Sequence, residues 1–234
     1  RSTLFPYTTL FRSTNFKVER EPLNLLFKLV FFGAISCIPA AILEMKITAM
    51  LPAFPEGSFQ YAFLEAFAVA ALCEEICKYL LLRIGSWRNR NFNYRFDGIV
   101  YGVCVAVGFA LLENVMYVMS SGLETALMRG VLAVPLHAFC GVFMGVSYGA
   151  AKKASIDGHS AASAANTVKA LAVPILIHGF YDTMAFLNTN WASIVLLVFV
   201  GFMYFVAVRK VNKFSRDDWK SAFYYTKNND NLYF

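Results

Sequence analysis

Six long apolar segments alternate with short polar segments along the chain. Each has about 18 residues or more, so as an α-helix it can cross a hydrocarbon core of about 30 Å. None alternates residue by residue, as barrel strands do. The segments are Leu23–Met45, Phe59–Ile84, Gly98–Met119, Leu123–Ala150, Val168–Leu187 and Trp191–Val208. The pattern predicts an all-α, polytopic membrane helix bundle with about six transmembrane helices.

Lysines and arginines cluster in every second connection between these segments. They precede the first segment, follow the second and fourth, and fill the tail: Lys17, Arg20; Arg83, Arg88, Arg90, Arg95; Lys152, Lys153, Lys169; Arg209, Lys210, Lys213, Arg216, Lys220. Because cytoplasmic loops carry an excess of Lys and Arg, the alternation predicts that both termini are cytoplasmic.

The composition agrees with a membrane protein. Hydrophobic residues make up 58% of the 234 residues and charged residues only 15%, against about 25% charged in soluble domains. These values exclude a disordered tail, a collagen-like chain and a small disulfide-rich secreted protein. The net charge of +6 comes from basic residues in the connections, where the positive-inside rule accounts for them. We therefore expect the lipid bilayer as a partner and no nucleic acid.

Both ends of the chain look non-native. Arg1–Ser13 resembles a cloning or adapter scar, and Asn231–Phe234 resembles the start of a protease-cleavage tag, so neither enters the functional reasoning. We expect a non-native or disordered segment over 1–16, one transmembrane domain over 17–210, and a cytoplasmic tail with a tag remnant over 211–234. Whether the native N-terminus carries a further helix stays open.

Ionisable and strongly polar residues inside the apolar segments are the candidates for chemistry. A charge in the bilayer core costs about 2.5–3.5 kcal/mol on insertion scales, so such residues face the bundle interior and mark functional sites. The second to fifth segments contribute Glu65, Glu74, Glu75 and Lys78; Glu113 and Asn114; Arg129 and His137; His178 and Asp182. Together they can activate a water molecule. The alternative is a structural ion-pair network.

Spacing within the helices adds detail. Lys78 follows Glu74 by four residues and Glu75 by three, so it can neutralise either carboxylate. His178 and Asp182 share a helix face, where the carboxylate can orient the imidazole. Small residues at every fourth position, Gly141, Gly145 and Gly149, predict a close helix contact.

Four motifs occur in order, each in its own segment. They are the EExxK sequence of Glu74–Lys78, the FxxxEN sequence of Phe109–Asn114, His137 after Arg129, and the HxxxD sequence of His178–Asp182. The chain resembles the PrsW family of intramembrane proteases, within the superfamily that includes the CAAX prenyl proteases. The resemblance covers roughly residues 59–187. CAAX-type relatives have EExxxR and FxxxH at these motifs, so prenyl-protein processing is not implied.

The resemblance implies a multi-pass protein of a prokaryotic plasma (inner) membrane with endopeptidase activity. In the namesake role of the family, the substrate is a single-span anti-sigma factor that is cut on its extracytoplasmic side. The resemblance implies the catalytic set Glu74, Glu75, Lys78, Glu113, His137, His178 and Asp182. The physiological substrate, the scissile bond and the oligomeric state stay open.

Two mechanisms fit these residues. In a glutamate mechanism, Glu74 or Glu75 is the general base, the two histidines stabilise the oxyanion, and Asp182 orients His178. In a metal mechanism, Glu113, His137, His178 and Asp182 supply the ligands, and Zn²⁺ suits imidazoles with carboxylates. Which glutamate is the base stays open. Other functions considered are a proton- or cation-coupled transporter and a non-catalytic membrane scaffold.

Helix depth is a test of the single-site hypothesis. At about 1.5 Å per residue, Glu75 and His178 lie about 12–13 Å from the basic residues Arg83 and Lys169. Glu113 and His137 lie about 22–24 Å from Asp97 and Lys152. A single site therefore requires that helix tilt, kinks at Pro135 and Pro174, or a position of Asp97–Gly102 outside the core absorb about 10 Å.

Overall fold

The computed structural model describes residues 21–51, 54–55 and 57–229. The regular structure of these residues is entirely helical, without strands, which confirms the predicted all-α class. The expected non-native segment 1–16 and the tag-like residues 231–234 lie outside the described residues.

Seven α-helices and one π-helical segment make up the described chain. Helix α1 is Leu23–Thr48, α2 is Phe59–Leu64, the π-helical segment is Glu65–Ala71, and α3 is Leu72–Ser86. The following stretch breaks at Gly122, whose φ of 85° favours glycine. This break divides the stretch Arg95–Ile156 into α4, residues 95–121, and α5, residues 123–156. Helix α6 is Ser160–Leu187 and α7 is Asn190–Asn229.

Five of these helices are long and apolar enough to cross a membrane: α1, α4, α5, α6 and the part Asn190–Asp217 of α7. The predicted second span, Phe59–Ile84, consists instead of α2, the π-helical segment and most of α3. A multi-pass helical bundle is thus supported. The sixth span and the cytoplasmic position of both ends stay predictions.

Two helices extend beyond their apolar segments. Helix α6 begins at Ser160, well before the predicted Val168, and α7 continues past the predicted Val208 into the expected tail. Hydropathy marks only the apolar part of a helix, whereas good helix formers such as Ala, Lys and Arg continue its hydrogen bonding beyond the apolar core.

Glycines allow α4 and α5 to approach closely. A Cβ atom on Gly145 would overlap the carbonyl oxygen of Gly98, and one on Gly141 would lie 2.7 Å from that of Gly102. The predicted contact surface of Gly141, Gly145 and Gly149 is confirmed, because small residues let helix backbones meet in a membrane. This contact places Glu113 on α4 opposite His137 on α5.

The depth difficulty disappears because Lys169 does not mark a helix end. Helix α4 begins at Arg95, α5 ends at Ile156 and α6 begins at Ser160, all on the same side of the bundle. At about 1.5 Å per residue, Glu113, His137 and His178 all lie about 27–29 Å from these ends of their own helices. The three side chains therefore share one depth.

Helix α3 is shorter, since it ends at Ser86, only about 17 Å beyond Glu75 at the helical rise. Residues 87–94 make up the difference, since this connection packs against the bundle through Trp87 and Phe92 while its two arginines stay exposed. Phe92 is buried against Tyr101 and Tyr148, and Lys152 Nζ donates to the carbonyl oxygen of Trp87 at 2.7 Å. The connection therefore lets α3 end deeper in the bundle than its neighbours.

We expect Gly145→Ala to lower the melting temperature of the detergent-solubilised protein, because its Cβ would overlap Gly98 in a helix contact that cannot relax freely. The cost should be about 1–3 kcal/mol, which is typical of overpacking. Gly130→Ala on the same helix is the control, since a Cβ there has no described atom within 4 Å. Equal melting temperatures of the two variants would contradict the close contact.

Candidate active site

Four helices contribute polar side chains to one buried network. Glu74, Glu75 and Lys78 lie on α3, within two turns of the π-helical segment. That segment has wider turns than an α-helix, and such segments are frequent at functional sites. Helices α4, α5 and α6 contribute acidic, basic and imidazole groups that face these residues of α3.

Lys78 is the centre of this network. Its Nζ atom donates to Glu74 Oε2 and to Glu75 Oε1, both at 2.9 Å, and to His137 Nδ1 at 2.9 Å. The ammonium also lies 3.9 Å from the centroid of the Phe109 ring, a distance typical of a cation–π contact. Both glutamates of the EExxK motif are therefore paired with a cation that is itself 1% exposed.

The contacts of His137 determine its tautomer. A lysine ammonium only donates hydrogen bonds, so His137 Nδ1 accepts the bond from Lys78. The proton of the neutral ring is then on Nε2, which donates to Glu113 Oε2 at 2.9 Å. The chain of contacts from Lys78 through His137 to Glu113 joins three helices.

Glu113 has a second cationic partner, Arg129. The Arg129 guanidinium donates to Glu113 Oε1 and lies 3.5 Å from the centroid of the Tyr117 ring. One bond to Glu113 leaves other N–H groups of the guanidinium fork for a further acceptor. Arg129 is thus both a clamp on Glu113 and a donor at the site.

Both ring nitrogens of His178 lie close to carboxylates. Nδ1 lies 2.9 Å from Glu75 Oε1, and Nε2 lies 3.1 Å from Asp182 Oδ2 on the same helix and 3.8 Å from Glu74 Oε2. Glu75 can therefore fix the ring orientation by accepting from Nδ1, while Nε2 points toward Asp182 and Glu74.

A cavity of about 750 Å³ reaches this network. Glu74, His137, His178 and Asp182 line its inner part, whereas Glu75 and Lys78 are buried behind that surface. Its outer part is lined at the ends of three helices, by Thr48 of α1, Ser120 of α4 and Phe186 of α6. The cavity thus opens at the end of the bundle opposite the arginine-rich connection after α3.

All seven residues of the sequence-derived catalytic set lie in this network, but in a different grouping from the expected ligand set. The donor atoms of Glu74, Glu75, His137 and His178 lie within 4.8 Å of one another. Glu113 and Asp182 instead each contact one histidine, His137 and His178 respectively. The expected set of Glu113, His137, His178 and Asp182 is therefore divided into two carboxylate–imidazole pairs.

Several polar cavity residues lie outside the catalytic set that the sequence predicts. Among them are Arg129, Glu44 of α1 and Tyr181 of α6. Arg129 had a detectable signal, since an arginine inside an apolar segment needs an acidic partner. Glu44 lies at the end of its apolar segment, beside Lys46, where a charged residue is ordinary. Only the three-dimensional packing brings it to the cavity.

A family model described as PrsW family intramembrane metalloprotease matches residues 21–208. The chain belongs to the PrsW family. It is an intramembrane protease, and the predicted family and enzyme class are confirmed.

Several curated bacterial relatives carry the name Protease PrsW. The Halalkalibacterium halodurans protein is 34% identical over 82% of this chain and 84% of its own length. The Bacillus subtilis protein is 32% identical over 83% and 84%, and the Clostridioides difficile protein is 30% identical over 87% and 85%. No solved structure matches the chain.

The buried network fits the metal that the family description implies. Two imidazoles and two carboxylates in close proximity are suitable donors for a divalent ion. Glu75 Oε2 is buried without a hydrogen-bond partner among the described residues. Among the described residues, the permanently charged cations that pair with Glu74, Glu75, Glu113 and Asp182 are two, Lys78 and Arg129. An excess of negative charge in an apolar bundle favours a bound cation.

We expect His137 to be the Nε2–H tautomer in the folded protein. Nitrogen-15 labelling of histidine gives few signals, because the chain has three histidines, and His159→Gln identifies the exposed one. The His137 signals should show an unprotonated Nδ1. A protonated Nδ1 in the wild-type protein would contradict the bond from Lys78.

Proposed function

We propose that this PrsW-family protease hydrolyses a peptide bond of a single-span membrane-anchored protein, of the anti-sigma-factor type, in the plasma membrane of a bacterium. The cavity carries this proposal. It is within the usual size of ligand sites, it reaches the surface of the bundle, and its inner part is lined by groups that can activate water.

The proposed cleavage takes place on the extracytoplasmic side. The cavity opens at the helix ends opposite the arginine-rich connection after α3. Under the positive-inside rule, that basic side is cytoplasmic. A substrate segment that leaves the membrane on the opposite side would thus meet the open end of the cavity.

Glu74 is the carboxylate that we assign to the attacking water. It lines the cavity, whereas Glu75 lies behind it and contacts His178. Lys78 is bonded to Oε2 of Glu74, so the other oxygen, Oε1, is the atom that takes the proton from water. This assignment distinguishes the two glutamates by their access to the cavity.

Zn²⁺ is the proposed metal, held by Glu74, His178 and Asp182 on the cavity side of the network. When bound there, a divalent ion polarises the water and the scissile carbonyl group. Glu75 orients His178 by accepting from Nδ1, as carboxylates do for metal-binding histidines. His178 Nε2 is within 3.8 Å of both carboxylate partners.

Arg129 supplies donors for the oxyanion in this proposal. It lines the same cavity and is held in place by Glu113 and Tyr117. A donor that is fixed before the reaction stabilises the developing negative charge without reorganisation. His137 holds Glu113 from the other side, because Glu113 Oε2 accepts its Nε2–H group.

We expect Glu74→Gln, His178→Ala and Arg129→Met each to lower cleavage of a purified single-span substrate by about 100-fold or more, since each removes a group at the reacting atoms. His159→Ala is the matched control for His178→Ala, because His159 is exposed in the connection after α5. It should cleave at the wild-type rate.

Substrate class is tested with a panel of single-span proteins that differ only in their extracytoplasmic segment. Anti-sigma factors should be truncated and unrelated single-span proteins should not. Wild-type activity in any two of the three site variants would contradict the assignment of one active site.

Removal of the metal should abolish cleavage. We expect dialysis against a strong chelator to reduce the rate by about 100-fold or more and Zn²⁺ to restore it. Protein that has lost its metal, by elemental analysis, and still cleaves at the full rate would contradict the metal mechanism and favour the glutamate mechanism.

A further inference from the structure

We propose that the Lys78 ammonium is a built-in cation that fills a second metal position, beside the one proposed for Zn²⁺. The centre then holds one divalent ion because a lysine occupies the place of another. The inference rests on the proposed function only for the first ion.

Three acceptor atoms converge on Lys78 as ligands converge on a metal. Glu74 Oε2, Glu75 Oε1 and His137 Nδ1 each lie 2.9 Å from Nζ. Two carboxylates and one imidazole, with the far nitrogen of that imidazole donating to Glu113, reproduce the ligand and outer-partner arrangement of metal-bound histidines. The arrangement is typical of a cation site, and here the cation is the ammonium group of Lys78.

Lys78 and a divalent ion cannot share this position. Glu74 Oε2 and His137 Nδ1 are 4.0 Å apart, so an ion bound to both at about 2.1 Å would lie near their midpoint. Nζ is 2.9 Å from each atom. By Pythagoras it lies about 2.1 Å from that midpoint, too close for two cations to coexist.

The proposed Zn²⁺ position lies on the other side of Glu74. There His178 Nε2 is 3.8 Å from Glu74 Oε2 and 3.1 Å from Asp182 Oδ2. Glu74 therefore stands between a cavity-facing position and the buried Lys78, as a bridging carboxylate stands between the ions of a two-metal hydrolase. Lys78 would thus perform the electrostatic part of a second ion without contacting substrate.

Lys78 is accordingly a positioning residue. Its ammonium holds both glutamates of the EExxK motif and keeps the proton of His137 on Nε2. A lysine cannot be removed by chelation, so this half of the centre stays assembled whenever the chain is folded.

The test is the number of divalent ions held by Lys78→Ala. Purified wild-type protein and variant are equilibrated with Zn²⁺, dialysed and measured by elemental analysis. We expect about one ion per chain in the wild type and about two in the variant, since the substitution removes the lysine cation and leaves room for an ion. The readout does not depend on catalysis.

Two controls distinguish the space left by the Lys78 side chain from the loss of its positive charge. Lys78→Met removes the charge but fills the space, so it should gain no ion. Propylammonium, which resembles the lysine side chain that Lys78→Ala removes, should compete with the second Zn²⁺ in that variant and leave the wild type unchanged. It should also restore the stability that Lys78→Ala loses.

Each outcome decides the proposal. Two tightly held ions in the wild type, or no additional ion in folded Lys78→Ala, would overturn it. A variant that neither Zn²⁺ nor propylammonium can stabilise would also overturn it, because either cation should replace the lysine. A wild type without metal whose variant gains one ion would support the inference while contradicting the proposed Zn²⁺ function.

Discussion

The pairing of buried carboxylates with cations is the constraint on which the site depends. Glu74, Glu75, Glu113 and Asp182 lie inside a bundle of apolar helices, where an unpaired charge is costly. Lys78 satisfies two of them at once, and Arg129 satisfies Glu113. The Lys78 contacts to Glu74 and Glu75 lie within α3, whereas Glu113 on α4 meets Arg129 on α5 only when these two helices are packed together.

Two features of the helix packing meet this constraint: small residues at a helix contact, and helices that end at different depths. Gly98 and Gly145 allow α4 and α5 to approach closely, which brings Glu113 within reach of both His137 and Arg129. The connection 87–94 packs on the bundle through Trp87 and Phe92 and lets α3 end early, so Glu74 and Glu75 meet side chains that lie farther along their own helices.

Much of the site could be predicted from the sequence, because charges in apolar segments are rare and helix spacing fixes which of them share a face. The contacts between side chains of different helices could not be predicted in this way. The pairing of Lys78 with His137 depends on the depth at which α3 lies against α5, which hydropathy does not indicate. Lys169 illustrates the limit, since a basic residue well inside α6 resembled a helix end.

Glu74 faces the cavity on one side and the buried Lys78 on the other. This position explains how a hydrolase in a membrane admits water without losing its charge pairs. Electrostatic contacts are strongest where water is excluded, and Glu75 and Lys78 lie in that excluded region. Glu74, His178 and Asp182 line the cavity, where water and substrate must exchange. Because Glu74 contacts Lys78 and also lines the cavity, the buried contacts can hold the cavity-facing groups in position throughout that exchange.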